Sequence, residues 1–167
     1  LCMIHGVNVK AKVPFGVLAS VAPIVDFNPQ AVKDILAKIG VEFDERDEER
    51  LIRVKNWITK HQPSKMYKLL SKKNGEYYDT LSDEEKDAVK KLAEYVESHD
   101  DIKEQEIQQY LYGIINDPSL TKKENMARQQ RFFAVFYNLL FGTDKGPRLY
   151  LFLSAIDKAK YLDLLKF

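Results

Sequence analysis

Apolar residues recur at steps of three and four along most of the chain, which is the spacing of one buried face of an α-helix. Well-marked runs follow Asn28-Pro29, Asp44, Ser82 and Lys123. Asparagine, aspartate and serine cap helix N-termini, and proline is favoured at the first helical position. Gly142 closes the last of these runs, because glycine readily adopts the left-handed conformation that ends a helix. The pattern therefore predicts a chain built mainly of amphipathic helices.

No stretch shows the strict alternation of apolar and polar residues that indicates a β-strand, and short connections with glycine or proline separate most helical runs. We predict an all-α fold, a multi-helix bundle or α-helix cage made of two packed helical subdomains. The polar segment 71–78 predicts the boundary, so the expected subdomains are residues 1–75 and 76–167. We also expect a short helix near residues 66–70 and another helix that starts at Asp100.

Charge is distributed unevenly along a nearly neutral chain, whose formal net charge is +1. Residues 26–50 contain four basic and eight acidic residues, a balance of −4. Residues 118–167 contain nine basic and four acidic residues, a balance of +5. A basic carboxyl-terminal third is an electrostatic indication of an anionic partner.

The residues that usually carry catalysis are not arranged for it. His5, His61 and His99 lack the spacing of a metal site, and the glycine-rich phosphate loops and the nucleophile elbow are absent. Cys2 is the only cysteine, which fits a reducing, cytoplasmic compartment. No apolar run is long enough to span a bilayer. We predict no catalytic residue, metal or cofactor in this chain and no membrane partner. Because it begins with Leu1, we interpret it as part of a longer protein.

An aromatic run in the basic third offers the best candidate binding surface. On a helical projection, Phe133, Phe136 and Leu140 form the predicted buried stripe, with Arg131 opposite and facing water. Arg128 lies about 60° from Arg131, on the same predicted polar side. This helix is therefore expected to present cations on one face and aromatic rings on the next.

Further candidates lie at the edge of the stripe and in the turn that follows. Phe132 and Tyr137 flank the stripe, where a ring can be half exposed, and residues 143–148 form a turn that carries Lys145 and Arg148. Proteins bind single-stranded RNA by stacking bases on aromatic or guanidinium planes and by pairing cations with phosphates. The predicted RNA-binding residues are Arg128, Arg131, Phe132, Tyr137, Lys145 and Arg148.

Structural interpretations of the same residues stay open. Phe132 and Tyr137 can belong to the core, and Arg128 and Arg131 can be solvated charges. Arg148 can cap a carbonyl or pair with an acid such as Asp144. Trp57, on an earlier helix, is expected to be a packing residue.

Three segments carry a family resemblance. Residues 131–149, RFFAVFYNLLFGTDKGPRL, resemble the C-terminal signature of class I lysyl-tRNA synthetases, in which an aromatic helix leads into a G-K-E-R-G-P-R-L type turn. Residues 13–19 and 153–158 resemble two further segments of that family, in the same order along the chain. The resemblance covers residues 13–167, and Thr143-Asp144 departs from the usual lysine and glutamate.

The resemblance implies a function for a larger protein. Such an enzyme would activate lysine with ATP and attach it to tRNA(Lys) in the cytoplasm. Its ATP would be bound by a catalytic domain that precedes residue 1 and contacts this chain. The chain itself would be the α-helical region that binds the anticodon stem-loop of tRNA(Lys). Two alternatives are a helical protein–protein scaffold and the equivalent domain of a glutamyl-tRNA synthetase.

Overall fold

The structure, a computed structural model, describes residues 13–167, and all regular elements in that range are helical. The prediction of an all-α fold is therefore confirmed. Cys2 and His5 lie outside the described residues. The α-helices are α1 (Phe15–Val21), α2 (Pro29–Lys38), α3 (Glu45–His61), α4 (Gly75–Asp79), α5 (Asp83–Ser98), α6 (Glu104–Ile115), α7 (Lys122–Phe141), α8 (Leu149–Ala155) and α9 (Leu162–Leu165). Short 3-10 helices span Ala22–Val25, Pro63–Lys65 and Lys158–Lys160.

The chain divides into two compact units, Leu1–Met66 and Tyr67–Phe167, so the division comes earlier than the boundary we drew between residues 75 and 76. The intervening segment belongs to the second unit because the Leu70 amide donates to the Leu140 carbonyl at 2.8 Å. That hydrogen bond also explains why the helix expected near residues 66–70 does not form. The segment has no regular secondary structure, and the Leu70 amide bonds to a distant carbonyl rather than to one a turn earlier in the chain.

In the first unit, local signals begin the helices as predicted. The Asn28 side chain accepts a hydrogen bond from the Ala31 amide at 3.0 Å, and Pro29 occupies the first position of α2. A capping box formed by Asp44 and Asp47 begins α3. The buried apolar faces of the two helices consist of Val32, Ile35, Leu36, Leu51, Val54 and Ile58.

In the second unit, α5 and α7 also begin at capping boxes, formed by Ser82 with Glu85 and by Thr121 with Glu124. Helix α7 ends at Gly142, whose φ is +71°. Helix α6 starts at Glu104 rather than near Asp100, since the φ of +54° at Asp101 interrupts helical backbone there. The largest fully buried side chains of this unit are Leu92, Ile107, Leu111, Ile115, Phe136, Leu139, Leu140, Phe152 and Tyr161.

Candidate nucleic-acid interface

The buried face of α7 differs from the predicted stripe. Phe132 is only 3% exposed, whereas Phe133 is half-buried, so our placement of Phe132 at an exposed edge is wrong. The buried arc includes Val135 and Leu139, which lie about 40° and 80° from Arg131 on a helical projection. The predicted stripe was centred opposite Arg131. The observed buried arc of α7 begins beside Arg131, because α4, α5 and α9 also pack against α7.

Arg128 is a structural residue rather than a solvated cation. Its position on the helix falls within the buried arc, and its side chain is only 20% exposed. Its guanidinium donates to the carbonyl of Ile115, the last residue of α6, and forms an ion pair with Glu84. It also lies 4.9 Å from the centre of the Phe132 ring. The prediction that Arg128 faces water is wrong, since this side chain satisfies a helix C-terminus and joins three helices.

Arg131 pairs with an acid of α5 but stays accessible. Its Nε donates to Glu85 at 2.6 Å, and the Arg131 side chain is 53% exposed. Burial of Glu85 opposes ionisation, yet hydrogen bonds from Arg131 and from the Ser82 amide outweigh burial and lower the pKa of Glu85. Arg128 and Arg131 therefore face the start of α5, and neither forms an unpaired cationic ridge.

Tyr137 braces the turn between α7 and α8. Its hydroxyl donates to the Pro147 carbonyl at 2.7 Å, and burial raises the pKa of Tyr137 to about 12. The ring also packs on Gly146 so closely that a Cβ there would lie 2.3 Å from a ring carbon. Because no other residue allows that approach, Gly146 and Tyr137 together set the path of the turn.

The two cations of this turn are solvent-exposed. Lys145 is exposed and makes no ion pair with any residue in the described range. Arg148 is 60% exposed on its side chain, and its closest acid is Glu104 of α6, at 3.6 Å. Asp144 instead accepts a hydrogen bond from Asn138 at 2.7 Å, so the alternative pairing of Arg148 with Asp144 does not occur.

Four half-buried rings lie where α6, α7 and α8 meet, and we call them the aromatic cluster: Tyr112, Phe133, Tyr137 and Tyr150. The Phe133 ring centre is 6.4 Å from those of Tyr112 and Tyr137 and 6.3 Å from that of Tyr150. Sequence analysis missed Tyr112 and Tyr150 because they belong to other helices. The sequence signal that could have identified Tyr150 was its position two residues after Arg148.

The structure thus separates the six predicted residues. It brings Tyr137, Lys145 and Arg148 together around one turn beside the aromatic cluster. It directs Arg128 and Arg131 toward α5, and it buries Phe132. The turn and the aromatic cluster offer what nucleic-acid binding requires, namely exposed cations for phosphates next to partly accessible rings.

Curated relatives of the chain are lysine–tRNA ligases of archaea. The Pyrococcus horikoshii protein is 24% identical over 156 residues, which are 89% of this chain and 28% of that protein. The Pyrococcus furiosus protein is 28% identical over the same shares of both chains. The Picrophilus torridus protein is 29% identical over 83% of this chain and 25% of its own length. The resemblance to lysyl-tRNA synthetases is confirmed.

The match is consistent with a C-terminal region of the class I enzyme, and the chain spans roughly a quarter of the length of these relatives, 28% of the first two. Comparison with protein-family models gives no match. Among residues 13–167, no group of histidine, cysteine, aspartate or glutamate side chains could hold a metal ion. No helix in that range is long and apolar enough to cross a membrane.

The first unit contains a second basic feature that sequence analysis overlooked. From residue 50 to residue 75 the chain has eight basic residues and no acidic one. Within this stretch, Arg53, Trp57 and Lys60 follow one another at helical spacing on α3, and all three are exposed. We call these three residues the α3 ridge. The signal was present in the sequence, but the charge windows 26–50 and 118–167 both leave it out.

Proposed function

We propose that this chain is the α-helical, tRNA-binding C-terminal region of a class I lysyl-tRNA synthetase and that it recognises the anticodon stem-loop of tRNA(Lys). The observation that carries the proposal is the α7–α8 turn. There Lys145 and Arg148 are exposed next to the aromatic cluster, in the segment whose sequence resembles the family signature. Similarity to archaeal lysine–tRNA ligases over 89% of the chain supports the choice of tRNA.

In this proposal, Lys145 and Arg148 pair with backbone phosphates, and unpaired bases approach the half-buried rings. The ion pair between Arg148 and Glu104 does not prevent this, because an exposed pair at 3.6 Å contributes at most about 1 kcal/mol and can be exchanged for a phosphate. Arg131, still half-exposed, is a further proposed contact. Arg128 and Phe132 have a structural role in this proposal, because they stabilise the helix packing beneath this surface.

The longer protein, in this proposal, attaches lysine to tRNA(Lys) with ATP in the cytoplasm. Activation of lysine belongs to a catalytic domain of the same polypeptide, which is then a partner of this chain.

The proposal is tested by RNA binding. The full chain is titrated against stem-loops that carry the tRNA(Lys) or the tRNA(Glu) anticodon, at several salt concentrations. We expect preference for the lysine stem-loop. We also expect Arg148→Ala to weaken binding by about 1–3 kcal/mol and to lower the salt slope by roughly 0.7–0.9, the value of one phosphate contact. Lys123→Ala, an equal charge change at an exposed position of α7, is the control.

Unchanged affinity in Arg131→Ala, Lys145→Ala and Arg148→Ala, with each variant folded, would contradict the assigned surface. Preference for the glutamate stem-loop would favour the equivalent domain of a glutamyl-tRNA synthetase. Absence of binding to either stem-loop would favour a protein–protein scaffold.

A further inference from the structure

The α3 ridge lies outside the core of the first unit. The buried side of α3 is formed by Leu51, Val54 and Ile58, and the ridge residues lie on an adjacent face that is open to solvent. From Arg53 to Lys60 the helix advances two turns, about 10 Å, with Trp57 between the two cations. One continuous strip therefore presents a cation, an indole and a second cation.

Trp57 is only partly packed. Its ring meets the Phe15 ring edge-to-face at a centre distance of 5.4 Å and lies 6.0 Å from the His61 ring. It nevertheless keeps 38% of its surface exposed, and Phe15 keeps 43%. Our expectation of a packing role for Trp57 thus accounts for the buried part of the residue, and the exposed part lies on the same strip of α3 as two cations.

The ridge cations have no acidic partner within the described part of the chain. Other cations of α3 do have contacts, since Arg50 pairs with the buried Asp47 at 2.7 Å and Lys55 lies over the Phe27 ring. Favourable interaction with the helix C-terminus explains a lysine in the last turn, as at Lys60. That interaction does not explain why an arginine, Arg53, lies two turns earlier, or why an exposed tryptophan lies between Arg53 and Lys60.

We propose that the α3 ridge is a second RNA-binding surface, which holds an unpaired nucleotide with its base stacked on Trp57 and the flanking phosphates paired with Arg53 and Lys60. The absence of acidic residues from 50 to 75 makes this the stretch of the chain best matched to a polyanion. An aromatic ring between cations is the arrangement that binds single-stranded nucleic acid with little regard to base identity. The inference rests on the proposed function only for the choice of RNA as the polyanion.

Trp57 is the only tryptophan of the chain, so its fluorescence reports this surface alone. The full chain is titrated with a uridine hexamer, with a tRNA(Lys) transcript, and with heparin as a polyanion that has no bases. We expect both RNAs to quench the fluorescence and heparin to leave it nearly unchanged. Absence of quenching by both RNAs, or equal quenching by heparin, would overturn base stacking on Trp57.

Variants separate stacking, charge and folding. With a labelled uridine hexamer, Trp57→Phe should keep most of the affinity, whereas Trp57→Leu, which preserves apolar packing on Phe15, should lose about tenfold. The double variant Arg53→Gln, Lys60→Gln should lower the salt slope by about 1.4, the value of two contacts to a single strand. The double variant Lys33→Gln, Lys38→Gln, with the same charge change on α2 of the same unit, is the control. Equal affinity of Trp57→Phe and Trp57→Leu, or equal slopes for the two double variants, would overturn the proposal.

The two RNA proposals fail in different ways. If Arg148→Ala weakens binding of the stem-loop while Trp57 fluorescence and the α3 variants are unaffected, the ridge proposal is wrong and the function proposed above stands. If the α3 variants lose affinity for RNA and Arg148→Ala does not, the ridge proposal is supported and the proposal for the α7–α8 turn is wrong.

Discussion

Helices α7 and α3 both display cations at helical spacing, but the two sets are used differently. On α7, Arg128 and Arg131 contact Glu84 and Glu85, acids that lie 44 and 46 residues away in the chain. On α3, Arg53 and Lys60 have no such partner within the described range. Of the two helices, α7 has the local sequence that more strongly indicates RNA binding, because it contains an aromatic run. Tertiary neighbours, rather than the charge of a sequence window, therefore decide which cations are available to a ligand.

The comparison also separates two kinds of site within the second unit. Arg128 and Arg131 join α7 to the start of α5, whereas Lys145 and Arg148 extend from a turn that Tyr137 supports. Substitution of Arg128 should therefore act mainly on stability, whereas substitution of Arg131, which stays half-exposed, should affect both stability and binding. Substitutions of the second pair, like those of the α3 ridge, should act mainly on binding.

The largest effect is expected at the turn itself. Gly146→Ala places a methyl group 2.3 Å from the Tyr137 ring, and such overpacking should lower the free energy of unfolding by about 3 kcal/mol. Gly113→Ala, in the last turn of α6 with open space around its Cβ, should raise it by about 0.5–1 kcal/mol. Denaturant titration followed by circular dichroism measures both. Equal stability of the two variants would show that Tyr137 does not constrain the turn.

A smaller effect is expected from removal of the structural arginine. Arg128→Ala leaves the Ile115 carbonyl and Glu84 without their donor and should cost about 2 kcal/mol of unfolding free energy. Lys60→Ala on α3 should leave the denaturation midpoint unchanged, since Lys60 makes no ion pair among the described residues. A Lys60 variant as unstable as the Arg128 variant would remove the distinction between paired and available cations.

The smallest effect concerns pH. The hydrogen bond from Arg128 lowers the pKa of Glu84 below the ordinary value of a glutamate carboxyl. A carboxyl whose pKa is lower in the folded state contributes stability above its unfolded pKa and loses that contribution as pH falls through the folded value. Because Glu84 is 60% exposed, solvent screening limits this contribution to below about 1 kcal/mol. Glu84→Gln should flatten the loss of stability from about pH 5 to pH 3. An unchanged profile would show that the ion pair adds nothing.

Much of the helical framework was predictable because its signals are local. The caps at Asn28 and Ser82 and the stop at Gly142 each act on backbone groups within one turn, so the sequence near them is sufficient. The segment 66–70 was mispredicted because its fate depends on the Leu140 carbonyl, which is far away in the chain. Apolar spacing alone does not distinguish a helix from an irregular segment that is hydrogen-bonded to a distant helix.

The candidate site was predictable only in part. The turn with Lys145 and Arg148 follows from a sequence signature, and Tyr137 was identified from its position at the edge of the aromatic run. Phe132 and Arg128 were misplaced because a helical projection gives the angles between residues but not the side on which the rest of the protein packs. Tyr112 could not be connected with Tyr137, since only the packing of α6 against α7 and α8 brings them together.

The amino-acid sequence is enough to indicate the all-α class, the ends of several helices and the resemblance to lysyl-tRNA synthetases, since these depend on residues close together in the chain or on an ordered series of motifs. Only the three-dimensional packing shows which arginines are neutralised, which rings are buried and where the chain divides. Those outcomes depend on contacts between residues that are distant in the sequence, and no local pattern encodes them.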